Sequence, residues 1–160
     1  MRLASLTLIL TIVLSSCGSK LLTDTPENTS LSVYNVIVEN NPEGLKKLLF
    51  TTDELKVWLS ENEQGDVEAQ MVDIMDMYDH LDRIVNLVRT VGEKAGINWT
   101  ATEVVHNTVD TDGDSDRAVT MVALTFASNG GEYQIISNMA LSANGWRLTA
   151  PPLASWIETE

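Results

Sequence analysis

Cysteine is the scarcest residue here: Cys17 is the only one in 160 residues. No intramolecular disulfide can form, so the folded part must be held by its core. Basic residues are also few, ten Lys and Arg against 23 Asp and Glu, for a formal net charge of −13. That balance excludes nucleic acid as a partner and excludes lying flat on anionic lipid, since both need basic patches. It allows a cationic partner and, more simply, favours solubility. Long apolar runs are lacking too, and the stretch Leu6 to Leu14 is too short to span a bilayer as a stable helix. A Ser-His-Asp set, a Gly-rich phosphate loop and a Cys-His metal cluster are missing, so no cofactor is implied.

The amino terminus is nonetheless patterned. Met1 and Arg2 supply a positive start, Leu6 to Leu14 an apolar stretch, and small Ser15 and Ser16 precede Cys17. This is the layout of a secretory signal peptide. Leu14-Ser15-Ser16-Cys17 resembles the lipobox of bacterial lipoprotein precursors. The resemblance implies a lipid on Cys17 and cleavage just before it; ordinary secretion with an incidental cysteine is the alternative. Two or more acyl chains anchor stably, each buried CH₂ contributing about 0.8 kcal/mol. Gly18 after the cysteine implies the cell envelope, and the outer membrane facing the periplasm under the enterobacterial sorting rule. Residues 1–16 then form a signal peptide, and 17–30 the lipidated residue with a polar tether. As a flexible chain that tether reaches roughly 20 Å. Residues 31–160 suffice for one core and not for two.

From Leu31 the apolar residues fall at helix spacing until Asn40-Asn41-Pro42, where Asn41 caps a second helix that starts at Pro42. Thr52 is placed to cap a third, burying Leu55, Trp58 and Leu59. One long helix is predicted from about Asp66 to Lys94. Its stripe of Val67, Met71, Ile74, Tyr78, Leu81, Val85 and Val88 is widened by Met77, Ile84, Leu87 and Val91. Gly92 and Gly96 loosen and then end it.

Beyond Gly96 the period changes to two. Trp99 to Val109, Ala118 to Ala127, Tyr133 to Ala143 and Trp146 to Ala150 read as four strands. Asn129-Gly130 and Asn144-Gly145 are hairpin chemistry, because both residue types accept positive φ. Pro151-Pro152 is expected to forbid further pairing, with Leu153, Trp156 and Ile157 folding the tail back. Helices first and a meander second predict an α+β domain: N-terminal helices on a four-stranded antiparallel sheet. That arrangement, with Asn144-Gly145-Trp146-Arg147-Leu148 as the closing strand, resembles the NTF2-like (cystatin-like) superfamily. The resemblance implies a curved sheet with helices on its concave face, often around a cone-shaped pocket. A plain helix-on-meander domain is the alternative.

Three residue groups are candidates for chemistry. Asp110, Asp112, Asp114 and Asp116 alternate around Gly113 in the manner of a calcium loop. In an EF-hand counted from Asp110 the glycine would stand sixth and a Glu twelfth, whereas Gly113 is fourth and Met121 twelfth. An acidic hairpin loop is the preferred reading. Trp58, Tyr78, Trp99, Tyr133 and Trp146 could line a pocket for a small apolar ligand, or pack as core. Acid–base chemistry has little to use. The later strands as predicted hold no Asp, Glu or His, and Glu103 and His106, an odd number apart, should face opposite sides of the first strand. The resulting expectation is a membrane-anchored, non-catalytic protein-interaction module. The alternatives are an apolar-ligand carrier or sensor, and an enzyme with an unrecognised site.

Overall fold

A computed structural model describes residues 21–62, 66–111 and 119–156. Five helices come first: α1 (Pro26–Val38), α2 (Pro42–Leu48), α3 (Thr52–Asn62), α4 (Val67–Tyr78) and α5 (Leu81–Lys94). The strands β1 (Thr102–Thr111), β2 (Val119–Ser128), β3 (Gly131–Ser142), β4 (Gly145–Leu148) and β5 (Leu153–Trp156) follow. Pairing is antiparallel in the order β1-β2-β3-β4, with β5 also on β3. The fold is α+β, helices before strands, as the change of period predicts.

The first helix starts earlier than expected. Thr25 caps α1, its side chain accepting from the Asn28 N–H at 3.1 Å, and Pro26 fits the first turn because it has no N–H to satisfy. The segment ahead of it is docked as well. Ser32 Oγ both accepts from the Leu22 N–H and donates to the Leu22 carbonyl, and the Thr23 carbonyl accepts from the Trp146 N–H at 2.8 Å. The tether expected through residue 30 is therefore part of the domain from Leu21 onward. Thr29 and Ser30, polar in sequence, are residues of α1 and are fully buried.

The predicted long helix is two. Asp79 and His80 interrupt it, with the His80 N–H bonding back only three residues, to Met77. The break lets α4 pack beside α3 while α5 lies against α1 and α2. Capping of α3 falls to Thr51 rather than Thr52. Its Oγ1 accepts from the Glu54 N–H, and its own N–H donates to Glu54 Oε2 at 3.0 Å, a reciprocal capping box. Gly92 serves close packing rather than loosening. A Cβ there would stand 2.4 Å from Trp99 Cζ2. Gly96, at φ 100°, ends α5 with the Ile97 N–H on the Gly92 carbonyl.

Two strand expectations also change. The first strand begins at Thr102, leaving Trp99 in the turn before it. The Pro151-Pro152 pair stops pairing only at its own positions, since proline lacks the N–H. Beyond it β5 resumes on β3, Leu153 opposite Ile136 and Trp156 opposite Tyr133, end to end with β4.

The core divides at the β4 edge. Val122, Leu124 and Phe126 of β2 share one face with Ile135 and Met139 of β3, and pack with Val33, Ile37, Leu45, Leu48, Val85 and Leu148. Leu49 bridges Leu148 in parallel at that edge. The next residue, Phe50, joins a separate cluster with Leu55, Leu59 and Ala140, backed by Trp58, Val67, Met71 and Ile74. Adjacent residues of an extended segment point oppositely, so one step of the chain parts the two clusters.

Candidate functional site

The five aromatic residues expected to line a pocket do not form one group. Trp99 and Tyr133 are 3% and 9% exposed and stand on either side of Phe126, with ring centroids 5.8 Å from it in both cases. Trp99 Nε1 donates to the Arg89 carbonyl at 3.0 Å, and the Arg89 guanidinium lies 5.7 Å from the Trp99 ring centre. That guanidinium also donates to the Ile37 and Val38 carbonyls, capping the end of α1. Trp146 is half-buried against the same core. Trp58 belongs to the second cluster, its ring 5.7 Å from Phe50 and its Nε1 buried without a partner. Tyr78 is buried at the end of α4. Burial pushes its hydroxyl up to about 12, a Phe50 backbone group opposing the rise and the Glu54 charge adding to it. The hydroxyl makes no hydrogen bond of ordinary geometry.

The acid–base candidates sit elsewhere, and the structure corrects their geometry. Glu103 pairs with Ala127 and His106 with Thr125, because the register shifts between Val104 and His106. That bulge cancels their odd spacing. Ala127 and Thr125 alternate with Phe126, so Glu103 and His106 share the sheet face turned away from the main core. Glu132 lies within β3, opposite Ala127, and joins them on that face. His106 Nε2 is 3.3 Å from Thr125 Oγ1, which also accepts from Gln134 Nε2. Glu103, His106 and Glu132 are all exposed. Among the described residues no group of three or more His, Cys, Asp or Glu could hold a metal. Asp110 is exposed at the end of β1, opposite Met121. Asp112, Asp114 and Asp116 lie outside the described residues, as do Cys17 and the whole amino-terminal pattern.

One carboxylate is strongly organised. Glu54 Oε1 accepts from Ser142 Oγ at 2.9 Å and from Asn144 Nδ2 at 2.8 Å, while Oε2 takes the Thr51 N–H and hydroxyl. Partial burial alone would raise its pKa. The hydrogen bonds from the Thr51 backbone and from Asn144, Ser142 and Thr51 side chains outweigh that and hold the carboxyl at about 2. Arg147 Nε adds a longer contact of 3.8 Å. Every donor is internal to the fold, so this group ties α3 to the β3–β4 turn and leaves no lone pair aimed at a substrate.

Among the described residues, one surface feature with binding capacity is an apolar cleft. Ile84, Leu87, Val88 and Val91 of α5 face Pro151, Pro152 and Leu153 across a cleft of about 290 Å³. Leu87 and Leu153 are 63% and 66% exposed, well beyond what core packing leaves open. The sequence signal for half of it was the widened stripe of Ile84, Leu87 and Val91, broader than one core face needs. Two further hollows of about 310 and 260 Å³ adjoin α4, the first lined by Lys56, Glu68, Met71, Val72 and Met75, the second more polar and reaching Tyr78. Among the described residues no helix is long and apolar enough to cross a membrane. No family description, curated protein or solved structure matches this chain.

Proposed function

We propose that this chain is a lipid-anchored envelope protein, held to a membrane through Cys17, whose domain is a non-catalytic protein-interaction module of NTF2-like type. The α5 cleft is the observation that carries the interaction reading. An apolar surface of this kind gains free energy when covered, at about 25 cal/mol per Å² removed from water. Helices ahead of an antiparallel sheet, with Gly145-Trp146-Arg147-Leu148 as β4, support the NTF2-like part. Leu14-Ser15-Ser16-Cys17 supports the anchor and the envelope location.

A photo-activated crosslinker placed at position 87 of the full-length protein, in its own envelope, tests the interaction. A discrete protein adduct is expected there and none at position 103, on the opposite sheet face. Adducts at neither position, or equally at both, would sink the reading. The anchor has its own test. Cys17→Ala should leave an unacylated, unprocessed precursor, and acylated protein at wild-type levels in that variant would refute it.

A further inference from the structure

The α5 cleft also carries information about what fills it, and this step rests on the interaction reading above. Along α5, Arg83, Leu87, Thr90 and Lys94 follow one another at steps of three and four, so they form one line on the helix. All four are exposed. Leu87 lies on this line and, with Ile84, Val88 and Val91 beside it, makes the helical wall of the cleft. The acidic residues of α5, Asp82 and Glu93, fall on the other side of the helix by the same spacing. A chain with a net charge of −13 thus brackets its apolar cleft with two cations.

The opposite wall adds a backbone feature. β5 pairs with β3 along one edge, and among the described residues nothing pairs with its other edge. Alternate residues of an antiparallel strand turn their N–H and C=O groups to alternate sides, so β5 keeps hydrogen-bonding capacity for another extended chain. Pro151 and Pro152, without N–H groups, confine such pairing to Leu153–Trp156.

We infer that the cleft takes an extended segment of a partner protein, apolar at its centre and acidic at both ends, added as a strand alongside β5. Apolar side chains of the segment lie against Ile84, Leu87 and Val91, and its carboxylates meet Arg83 and Lys94. Strand addition of this kind takes affinity from main-chain bonds and specificity from side-chain pockets. The spacing sets the length. Arg83 and Lys94 are separated by about 16 Å along the helix axis, at 1.5 Å per residue. An extended chain covers that in about five residues, at roughly 3.3 Å each.

The probe is a synthetic peptide of alternating Val and Thr with a Glu at each end, titrated into the full mature chain and followed by backbone amide shifts. Saturable binding is expected, with the shifts confined to α5 and β5. Leu87→Asp should weaken it at least tenfold. Arg83→Glu with Lys94→Glu should weaken it similarly and should instead favour a Lys-ended version of the peptide. Both variants change exposed side chains, and an unchanged wild-type melting temperature confirms that each is folded. Absence of saturation overturns the inference, as does equal binding of a peptide with its glutamates moved to the centre. A dimer closed through α5 in sedimentation, or capture by phospholipid vesicles that Leu87→Asp abolishes, would assign the cleft to another occupant and also overturn it. If the crosslinker at position 87 captures a protein while the acidic peptide fails, the interaction reading stands and only the chemistry of the segment is wrong.

Discussion

The two apolar clusters on either side of the β4 edge are built by different rules. The main cluster is held from all sides. Helices α1, α2 and α5 cover the sheet, and Phe126 sits fully buried with Tyr34, Trp99 and Tyr133 within 5.8 Å of its ring centre. The α3–α4 arm buries far less. Tyr78 is the one residue of α4 that is buried, Leu55 and Leu59 the two of α3, and Trp58 hides a ring N–H with no acceptor. What fixes the arm in register is polar: Glu54, reaching from α3 to Ser142 and Asn144. Dispersion and burial set the stability of the first region, and a single hydrogen-bonded carboxylate sets the placement of the second. The arm should therefore open locally at a lower free energy than the whole.

The strongest test of that contrast strikes the main cluster. Phe126→Ala should cost about 3–5 kcal/mol and lower the denaturation midpoint of every probe together, because loss of a large buried ring leaves a cavity that the close-packed neighbours fill only in part. If hydrogen exchange rose only near β2, the main cluster would not be one cooperative unit.

Next in size is Glu54→Gln, expected to cost about 1–2 kcal/mol through weaker, uncharged hydrogen bonds. Its effect should be local. Amide exchange should quicken in α3 and α4 and stay unchanged in α5 and β2. The pH dependence has a definite sign. Folding lowers the Glu54 carboxyl from 4.5 to about 2, so its contribution is present above pH 4.5 and is lost as pH falls towards 2. The Gln variant should lack that part of the acid transition. An identical acid profile in both proteins would remove Glu54 from its place in the comparison.

The smallest effect belongs to Trp58→Phe. It removes a buried donor that has no acceptor, and this offsets part of the lost ring area, so stability should fall by no more than about 1 kcal/mol. A larger loss, measured by urea denaturation, would show that the arm relies on ring packing after all.

Much of the fold was legible in local chemistry, and the misses share a cause. Asn129-Gly130 and Gly145 adopt the positive φ their turns require, and Asn41-Pro42 caps α2 as read. The break at Asp79-His80 was hidden because Tyr78 and Leu81, three apart and both buried, keep the helical stripe unbroken across it. Only their different neighbours reveal two helices. The Val105 bulge has no glycine to announce it, and its register is set by β2. Thr29 and Ser30 looked like tether because small hydroxyl residues read as polar, yet they bury easily on the inner side of α1. Of the cleft, the α5 wall was visible as an over-wide stripe. The arrival of Pro151–Leu153 opposite it is a long-range event that no local pattern encodes.

The docking of Leu21–Asp24 has a consequence for where the domain can stand. Gly145 accepts this segment closely, a Cβ there falling 2.5 Å from the Thr23 carbonyl. With a lipid on Cys17, the leash from anchor to domain is residues 18–20 alone, no more than about 14 Å from Cys17 to Leu21 when fully stretched. If the proposed anchor is there, a leash that short would hold the domain against the head groups and limit its tumbling. The end of the sheet bearing the β3–β4 turn would then face the bilayer, and partners would have to approach from the sides or from above.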